Sequence, residues 1–559
     1  MLKKTILISS LLLTTVNYAQ LRVGIESNSQ YYIDDDKIKL EESEKDKRFR
    51  SNNYIKLDYS IGDFEFGVQG EGYLPKATLN YNPLLKDFNL GHAFVRYKNF
   101  DKGIDITAGH IYEQFGSGLA LRFWEDRALG INNALLGGLV KYNLNDYAQF
   151  KFLGGKQRIG MGLDLSDAVL YGTDVEVDLA KIFSTEKYSL KFGSSYVGKY
   201  EDLTNFNSSA PKNVNVLGPR VDFASDNFNV FAEYLYKTED MHAENEVVFN
   251  NSFKSGNAFL LNLGYNKEKF AANVNLRRLE NFGFFSQKNL TGNVFNKAMV
   301  NYLPSLVKQY DHSLQNIYVY QSIGRMNFEM GREKVGEIGG QFDLFFEASK
   351  GTFLGGKSGA SFAINGSYWA GLKNQKIKTK DEYDYEYVTN LKASTFGVDQ
   401  KGYSDIGVEY RKPFSEKFQT IFSYVNQYYN AEYIEGKAYG VTSNVVAAEG
   451  TYFLSDMESV RLELQHLWAD HDRKNWVGGT LEYIPSSQWS FYLQDIYNYG
   501  TDVESQKMHY YNVGGAFTKG ATRVALNYGR QRGGMVCVGG VCRWVPESAG
   551  LTLNITTNF

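Results

Sequence analysis

The amino-acid sequence predicts an all-β protein, a transmembrane antiparallel β-barrel of about 24 strands. Three observations lead to this fold class. Apolar and polar residues alternate along most of the chain, the connections between these segments are short and long in turn, and the last segment ends on an aromatic residue. Together they predict a single barrel in the outer membrane of a Gram-negative cell.

The start of the chain has the pattern of a cleaved secretory signal peptide. Lys3 and Lys4 form a positive region, Thr5 to Val16 is apolar or small, and a small-residue cleavage site follows near Ala19. This apolar run is too short to span a bilayer as a helix. We therefore expect residues 1–19 to be removed and residues 20–559 to form one exported barrel, with notable external loops at 114–131, 282–336 and 373–401.

The composition is rich in aromatic residues and nearly balanced in charge. The chain contains 41 Tyr and 38 Phe but only 8 Pro. Without Lys3 and Lys4, 58 basic side chains remain against 63 acidic ones, a net charge of −5. That balance argues against a nucleic-acid partner. No linker and no change in the residue pattern divides the chain, so we expect one domain.

Alternation with a period of two residues predicts the strands. Phe64, Phe66 and Val68, for example, alternate with polar residues. Such a pattern indicates strands with one apolar and one polar face. In a membrane barrel the apolar face meets lipid and lipopolysaccharide, and the polar face lines the lumen. We therefore predict these lumen-facing residues: Glu65, Gln69, Glu71, Arg277, Asp343, Glu347, Arg461, Glu463 and Arg523.

The connections distinguish a membrane barrel from a soluble sandwich. Short connections such as 62–63 and 518–521 alternate with long ones such as 34–49 and 531–546. Membrane barrels have short periplasmic turns and longer external loops. The last strand places alternate apolar residues on one face and ends at Phe559. This ending resembles the signal by which the barrel-assembly machinery receives outer-membrane proteins.

Three glycine-containing stretches resemble segments of a Bacteroidota outer-membrane β-barrel family that is catalogued only as a domain of unknown function. They are FGSGLALRFWEDRALGINNALLGG from Phe115, KGTFLGGKSGASFAINGS from Lys350 and GGMVCVGGVCRWVPESAG from Gly533. The resemblance covers the whole mature chain. It implies the barrel fold and an outer-membrane location, and it implies no activity.

A barrel this wide needs something to narrow its lumen. About 16 to 18 strands leave an aqueous channel, and about 22 take a plug. The first strand directly follows the signal peptide, so we expect no N-terminal plug domain. Two loops are candidates instead. The stretch 114–131 follows the fifth strand, and 282–336 is the longest connection.

We predict that the first of these loops narrows the lumen, with Arg122, Glu125, Asp126 and Arg127 at the constriction. Its glycines permit tight bends. The alternative is a loop that packs on the inner wall, with its charges paired for stability, and a third option is a surface loop without a role. The loop 282–336 either packs into or over the mouth or is a mobile external loop.

The remaining sites are few. Cys537 and Cys542 flank a Gly-Gly turn in an external loop, which predicts a disulfide in an oxidising environment. The seven histidines are scattered, and the sequence has no nucleophile–base pair, phosphate loop or metal-ligand spacing. We therefore expect no enzymatic activity, no cofactor and no metal.

The resulting hypothesis is a porin-like transport barrel, a channel or export-type barrel for polar cargo that is gated by its own loops or by a partner such as a periplasmic or surface lipoprotein. The alternative is a non-conducting structural or assembly subunit of an outer-membrane complex. An inner wall whose Arg and Glu residues are fully paired would favour the structural subunit, whereas an unpaired charged ring would favour a channel.

Overall fold

The computed structural model describes residues 19–82, 85–203, 210–244, 247–287, 298–322, 335–375, 378–380, 386–388 and 392–559. The predicted signal peptide lies outside the described residues except for Ala19, which begins the first strand. Parts of the predicted loops 282–336 and 373–401 also lie outside them.

The described chain forms one closed sheet of 24 antiparallel strands. Each strand pairs with the next along the chain, and the last pairs with the first, so the predicted closed antiparallel barrel is confirmed. The strands are β1 (Ala19–Tyr32), β2 (Phe49–Ile61), β3 (Phe64–Leu74), β4 (Asp87–Asn99), β5 (Ile104–Ile111), β6 (Leu135–Leu144), β7 (Ala148–Gln157), β8 (Val169–Asp178), β9 (Tyr188–Tyr200), β10 (Asn213–Ser225), β11 (Phe228–Glu244), β12 (Val247–Lys267), β13 (Phe270–Glu280), β14 (Gly336–Ala348), β15 (Ala360–Gln375), β16 (Lys392–Pro413), β17 (Phe418–Tyr429), β18 (Val441–Ser455), β19 (Glu458–Ala469), β20 (Trp476–Ser486), β21 (Trp489–Asn498), β22 (Met508–Lys519), β23 (Thr522–Gln531) and β24 (Ser548–Asn558).

Among the described residues, helical structure is confined to the connections. It consists of two short α-helices, α1 (Leu179–Ile182) and α2 (Ala431–Glu435), and three 3-10 turns at Glu42–Lys47, Ser313–Asn316 and Glu504–Gln506. None of the helices in the described ranges is long and apolar enough to cross a membrane.

Short and long connections emerge at opposite ends of the barrel. Turns such as 62–63 and 520–521 lie at one end, and loops such as 112–134 and 532–547 at the other. One predicted loop needs correction: β15 runs to Gln375 and β16 begins at Lys392, so much of 373–401 belongs to strands. Two paired strands satisfy each other's backbone N–H and C=O groups. The pairing can therefore continue beyond the apolar part of the strands.

The outward face carries the apolar residues of the alternating pattern. On adjacent strands Leu464, Leu481 and Leu493 are about half exposed, whereas the inward Glu463 and Gln465 are buried. Exposed Leu, Phe and Val side chains of this kind occur around the whole sheet. A continuous apolar outer surface is what a lipid-facing barrel requires.

A charged side chain in this apolar outer surface, the lipid belt, should destabilise the barrel. Leu464→Arg, near the middle of β19, is expected to lower the free energy of unfolding by about 2–4 kcal/mol, because the guanidinium would face hydrocarbon. Denaturant unfolding in lipid vesicles measures the effect. The matched control, Met457→Arg in the exposed turn before β19, should cost less than about 1 kcal/mol. Equal costs for both variants would contradict a lipid belt at Leu464.

Candidate functional site

Three connections from the long-loop end fold into the barrel. We call them the first inward loop (112–134), the plug segment (298–322) and the disulfide hairpin (534–545). Apolar side chains of the first two segments join wall residues in two large buried clusters, one reaching from β5 to β13 and the other involving strands from β15 to β24, and Val541 of the hairpin packs against Leu129 and Ile131. The lumen is therefore filled by the chain's own loops at this end.

The first inward loop bends sharply and buries its apolar residues. Gly116 and Gly118 have φ of 51° and 93°, in the left-handed region that favours glycine. These bends turn Leu121 and Phe123 into the barrel, where they are buried against the wall cluster. Ser117 Oγ donates a hydrogen bond to Glu233 of β11, which fixes the loop to the wall.

The four predicted constriction residues are half-buried and already have partners. Arg127 forms an ion pair with Glu26 of β1, and its Nη2 donates to Gln69 Oε1 of β3 at 2.9 Å. Gln69 Nε2 in turn donates to Glu125 Oε1 at 2.8 Å. Asp126 Oδ1 accepts from the backbone N–H of Leu129 in the same loop.

Arg122 has a different environment from the other three. Its guanidinium lies 4.7 Å from the ring centre of Trp124 and 4.0 Å from that of Tyr302, so it is held by cation–π contacts. The four side chains therefore do not face one another across an open gap. Their arrangement corresponds to the alternative interpretation, a loop packed on the inner wall with paired charges.

Most predicted lumen-facing residues also have ionic or hydrogen-bonding partners. Glu71 pairs with Arg158, Glu65 with Arg96 at 3.5 Å, and Gln341 Nε2 donates to Asp343 at 2.9 Å. Glu347 and Arg523 are exposed near the short-turn end. The remaining predicted residues also have partners, which are described with the first inward loop, the plug segment and the cluster around His312: Gln69, Arg277, Arg461 and Glu463.

The plug segment connects opposite walls of the barrel. On one side Gln157 of β7 donates from Nε2 to Met299 O at 2.8 Å, and Arg277 of β13 donates from Nη1 to Pro304 O at 2.6 Å. Further along, Tyr310 OH donates to Asp405 of β16 at 2.8 Å, and Leu314 N donates to Gln465 Oε1 of β19 at 2.8 Å. A segment held by β7, β13, β16 and β19 crosses the lumen rather than covering its rim.

The carboxylate of Glu337 attaches the plug segment to the barrel wall through several hydrogen bonds. This residue of β14 is fully buried, and it accepts hydrogen bonds from Arg277 Nη2 at 2.6 Å and from Tyr320 OH at 2.7 Å. Ser322 Oγ donates to the same carboxylate at 3.0 Å. Tyr320 also stacks on Trp369 of β15, with 5.9 Å between ring centres. The carboxylate thus joins the plug segment to two wall strands.

The disulfide hairpin joins the other two segments. Cys537 and Cys542 form a disulfide. Tyr302 OH of the plug segment donates to Gly539 O at 2.7 Å, and Arg543 Nη2 donates to Ala128 O of the first inward loop at 2.6 Å. Gly540 has φ of 76°, and a Cβ there would lie 2.4 Å from Ser305 O, so glycine is required. The three segments form one connected plug.

Cavities remain on both sides of this plug. At the short-turn end a vestibule of about 1130 Å³ is lined mainly by charged side chains, among them Arg96, Lys98, Asp105, Lys141, Glu176 and Lys191. At the long-loop end a cavity of about 720 Å³ is lined by Tyr318, Tyr439, Trp476, Trp544, Arg532 and Glu547, among others. Burial lowers the pKa of the Arg532 guanidinium.

Sequence reasoning missed the partners that seat the plug. Arg277 was predicted to face the lumen, but Glu337, Tyr310 and Gln465 were not singled out. The sequence gives little indication of these residues. Glu337 and Gln465 are two of many inward positions in alternating strands, and Tyr310 lies in a loop without periodicity.

Comparisons with known proteins concern the fold. The profile of a family of unknown function (DUF6029) matches residues 1–559. The chain matches no curated protein. The siderophore receptor PirA from Pseudomonas aeruginosa is 10% identical, with a TM-score of 0.40 over 97% of this chain and 80% of that chain.

Two further solved structures are similar at the same low level. The translocation pore of the P pilus usher PapC is 8% identical, with a TM-score of 0.40 over 96% of this chain and 99% of that chain. OpdQ from Pseudomonas aeruginosa is 9% identical, with a TM-score of 0.32 over 85% of this chain and 97% of that chain. Likeness of this degree concerns barrel architecture alone.

Proposed function

Because the chain belongs to the family of unknown function DUF6029, whose description assigns no activity, we propose a function from the geometry of the lumen. The protein is an outer-membrane transport barrel that rests closed and passes polar cargo when a partner displaces its built-in plug. The observation that carries this proposal is the plug segment, which is bonded to β7 on one side and to β19, twelve strands away, on the other.

Apolar packing supports a closed resting state. Phe115, Leu121 and Phe123 of the first inward loop and Leu303 of the plug segment are almost completely buried. Burying each such side chain is worth about 1.5–3 kcal/mol. Withdrawing the plug would expose these residues and the apolar wall beneath them to water. Opening therefore requires binding energy from a partner, since a ligand shifts a conformation only through differential affinity.

The charged vestibule supports polar rather than apolar cargo. Its lining contains both cations and carboxylates, including Lys141 and Glu176. Such a surface favours hydrated solutes or polypeptide over hydrophobic ligands, which prefer apolar pockets. The proposal also includes export through the signal peptide and insertion by the barrel-assembly machinery, with Phe559 as the signal. Lipid and lipopolysaccharide then surround the apolar outer surface. The three resembling stretches suggest a Bacteroidota origin.

A second candidate function is a non-conducting structural subunit, and the paired charges of the inner wall favour it. Arg220 pairs with Asp174 at 2.7 Å, and Lys199 pairs with Glu201 at 2.9 Å. Glu71 and Arg158 are both buried in a further pair. Pairing of this kind is what we expect of a structural subunit. An experiment must therefore separate the two functions.

Thiol labelling at a plugged position distinguishes the two functions. Ala120 is completely buried in the first inward loop, and the two native cysteines form a disulfide. Living cells that produce Ala120→Cys are treated with a membrane-impermeant maleimide. A partner-gated barrel is expected to be labelled in cells and to stay unlabelled once purified.

Two controls complete this measurement. Val503→Cys, exposed at the long-loop end, should be labelled in both settings, and unfolded Ala120→Cys should be labelled fully. If Ala120→Cys resists labelling in cells as well, the plug does not move there and the structural function is favoured. Labelling of the purified protein would show instead that the loops open without a partner.

A further inference from the structure

One polar cluster lies where the plug segment meets the wall between β18 and β19. His312, at the start of the 3-10 turn Ser313–Asn316, is only 3% exposed. Glu449 of β18 and Glu463 of β19 are directly paired across the two strands. One ligand atom from each of the three residues lies within 4.8 Å of the others.

The hydrogen bonds of His312 leave one ring nitrogen free. Gln315 Nε2 donates to Ser423 Oγ at 2.9 Å, so Gln315 Oε1 is available as an acceptor. It lies 3.2 Å from Nδ1 of His312, and Ser423 Oγ lies 3.3 Å from the same nitrogen; because Gln315 Oε1 can only accept, this contact favours the ring proton on Nδ1. Nε2 then presents its lone pair to the carboxylates, 3.7 Å from Glu449 Oε2, and has no hydrogen-bond partner among the described residues. Histidines that bind metals are oriented by such a bond from the other nitrogen.

The charges around this nitrogen are unbalanced. Arg461 contacts three carboxylates, those of Glu449, Glu463 and Glu482, each at 2.9 Å. Beside them Arg411 pairs with Glu409 and Asp311. Five carboxylates against two guanidinium groups leave a net charge of −3. Like charges that face each other across paired strands are destabilising, so a further cation would stabilise the cluster.

We propose that His312, Glu449 and Glu463 bind a divalent transition-metal cation of the Zn²⁺ class, which fastens the plug segment to β18 and β19. One imidazole nitrogen with two carboxylate oxygens is a ligand set that suits Zn²⁺. Mg²⁺ and Ca²⁺ prefer oxygen ligands alone. Each carboxylate oxygen has two lone pairs, so Arg461 and Gln465 can keep their hydrogen bonds to Glu449 and Glu463 while the metal is bound. The ligands are 137 and 14 residues apart in sequence, which hid the site from motif analysis.

Calorimetric titration of the folded, chelator-treated barrel in detergent tests this site with Zn²⁺ as the probe. We expect one bound Zn²⁺ per chain and no comparable binding of Mg²⁺. His312→Ala and Glu463→Gln should each weaken Zn²⁺ binding more than about 100-fold, because loss of a second-shell partner alone costs about 10–100-fold. Gln315→Ala, which removes only the partner of Nδ1, should fall within that smaller range.

The matched control is His509→Ala, which removes an exposed histidine paired with Asp495 and should leave Zn²⁺ binding unchanged. Heat-dependent migration on gels confirms that each variant is a folded barrel, and Glu463→Gln covers the case in which His312→Ala fails to fold. Absence of saturable Zn²⁺ binding would overturn the proposal, as would full affinity in folded His312→Ala. The readout is metal binding itself, so the result does not depend on whether the barrel transports anything.

Discussion

Glu337→Gln is expected to lower the free energy of unfolding by about 3–5 kcal/mol, because it leaves the Arg277 guanidinium buried without its counter-charge. Both residues are almost completely buried, and their contact is 2.6 Å long. Glutamine keeps the size of the side chain but not its charge. The loss should therefore report on the ion pair rather than on a cavity.

The same substitution should loosen the plug. Tyr320 and Ser322 donate to the Glu337 carboxylate, so the plug segment loses its charged acceptor on β14. Hydrogen bonds to charged groups are worth about 1.5–3 kcal/mol, more than those between neutral groups. Denaturant unfolding followed by tryptophan fluorescence measures the change, since Trp369 stacks on Tyr320 at this attachment.

Two control variants make this result interpretable. Glu504→Gln removes one partner of an exposed pair with Lys507 and should leave the free energy of unfolding essentially unchanged, because solvent screens this pair. The double variant Arg277→Leu with Glu337→Leu removes both buried charges and should recover part of the lost stability, because an apolar pair often replaces a buried ion pair without loss, whereas Tyr320 and Ser322 still lose their acceptor. A cost for Glu337→Gln as small as that for Glu504→Gln would mean that the pair does not hold the plug.

The barrel could be predicted because its signal is local. Alternation in stretches such as Phe64–Val68 and Leu462–Gln465 follows directly from the two-residue period of a strand between lipid and lumen. The order of short and long connections then fixes antiparallel neighbours. Strand ends were less accurate, as β15 and β16 show, because ladder hydrogen bonds continue beyond the apolar pattern.

The contents of the lumen could not be predicted in the same way. Arg127 pairs with Glu26, 101 residues away, and the plug segment meets Gln465 more than 140 residues further along the chain. These contacts exist only once the barrel has closed and has brought distant strands around one lumen. From the sequence, packing of the first inward loop on the inner wall with paired charges could be stated only as an alternative, and the wall residues that pair with those charges could not be named.

Removing the plug segment should change a silent protein into a conducting one. A variant that lacks residues 298–322 loses the bonds to β13, β16 and β19 together. A lumen enclosed by 24 strands is wider than that of porins with about 16 to 18 strands, which already conduct. In planar bilayers we expect no current from the wild type and large single-channel steps from the variant.

A smaller deletion tests how the closure is divided between the loops. A variant without residues 116–130 should conduct in smaller steps, because the plug segment still crosses the lumen. Shortening the connection 349–359, at the opposite end of the barrel, should leave the protein silent. If both lumen deletions stay silent in folded barrels, other parts of the chain close the lumen and the structural function gains support. Current through the wild type would mean instead that the plug leaves a pore, and gating by a partner would no longer be needed.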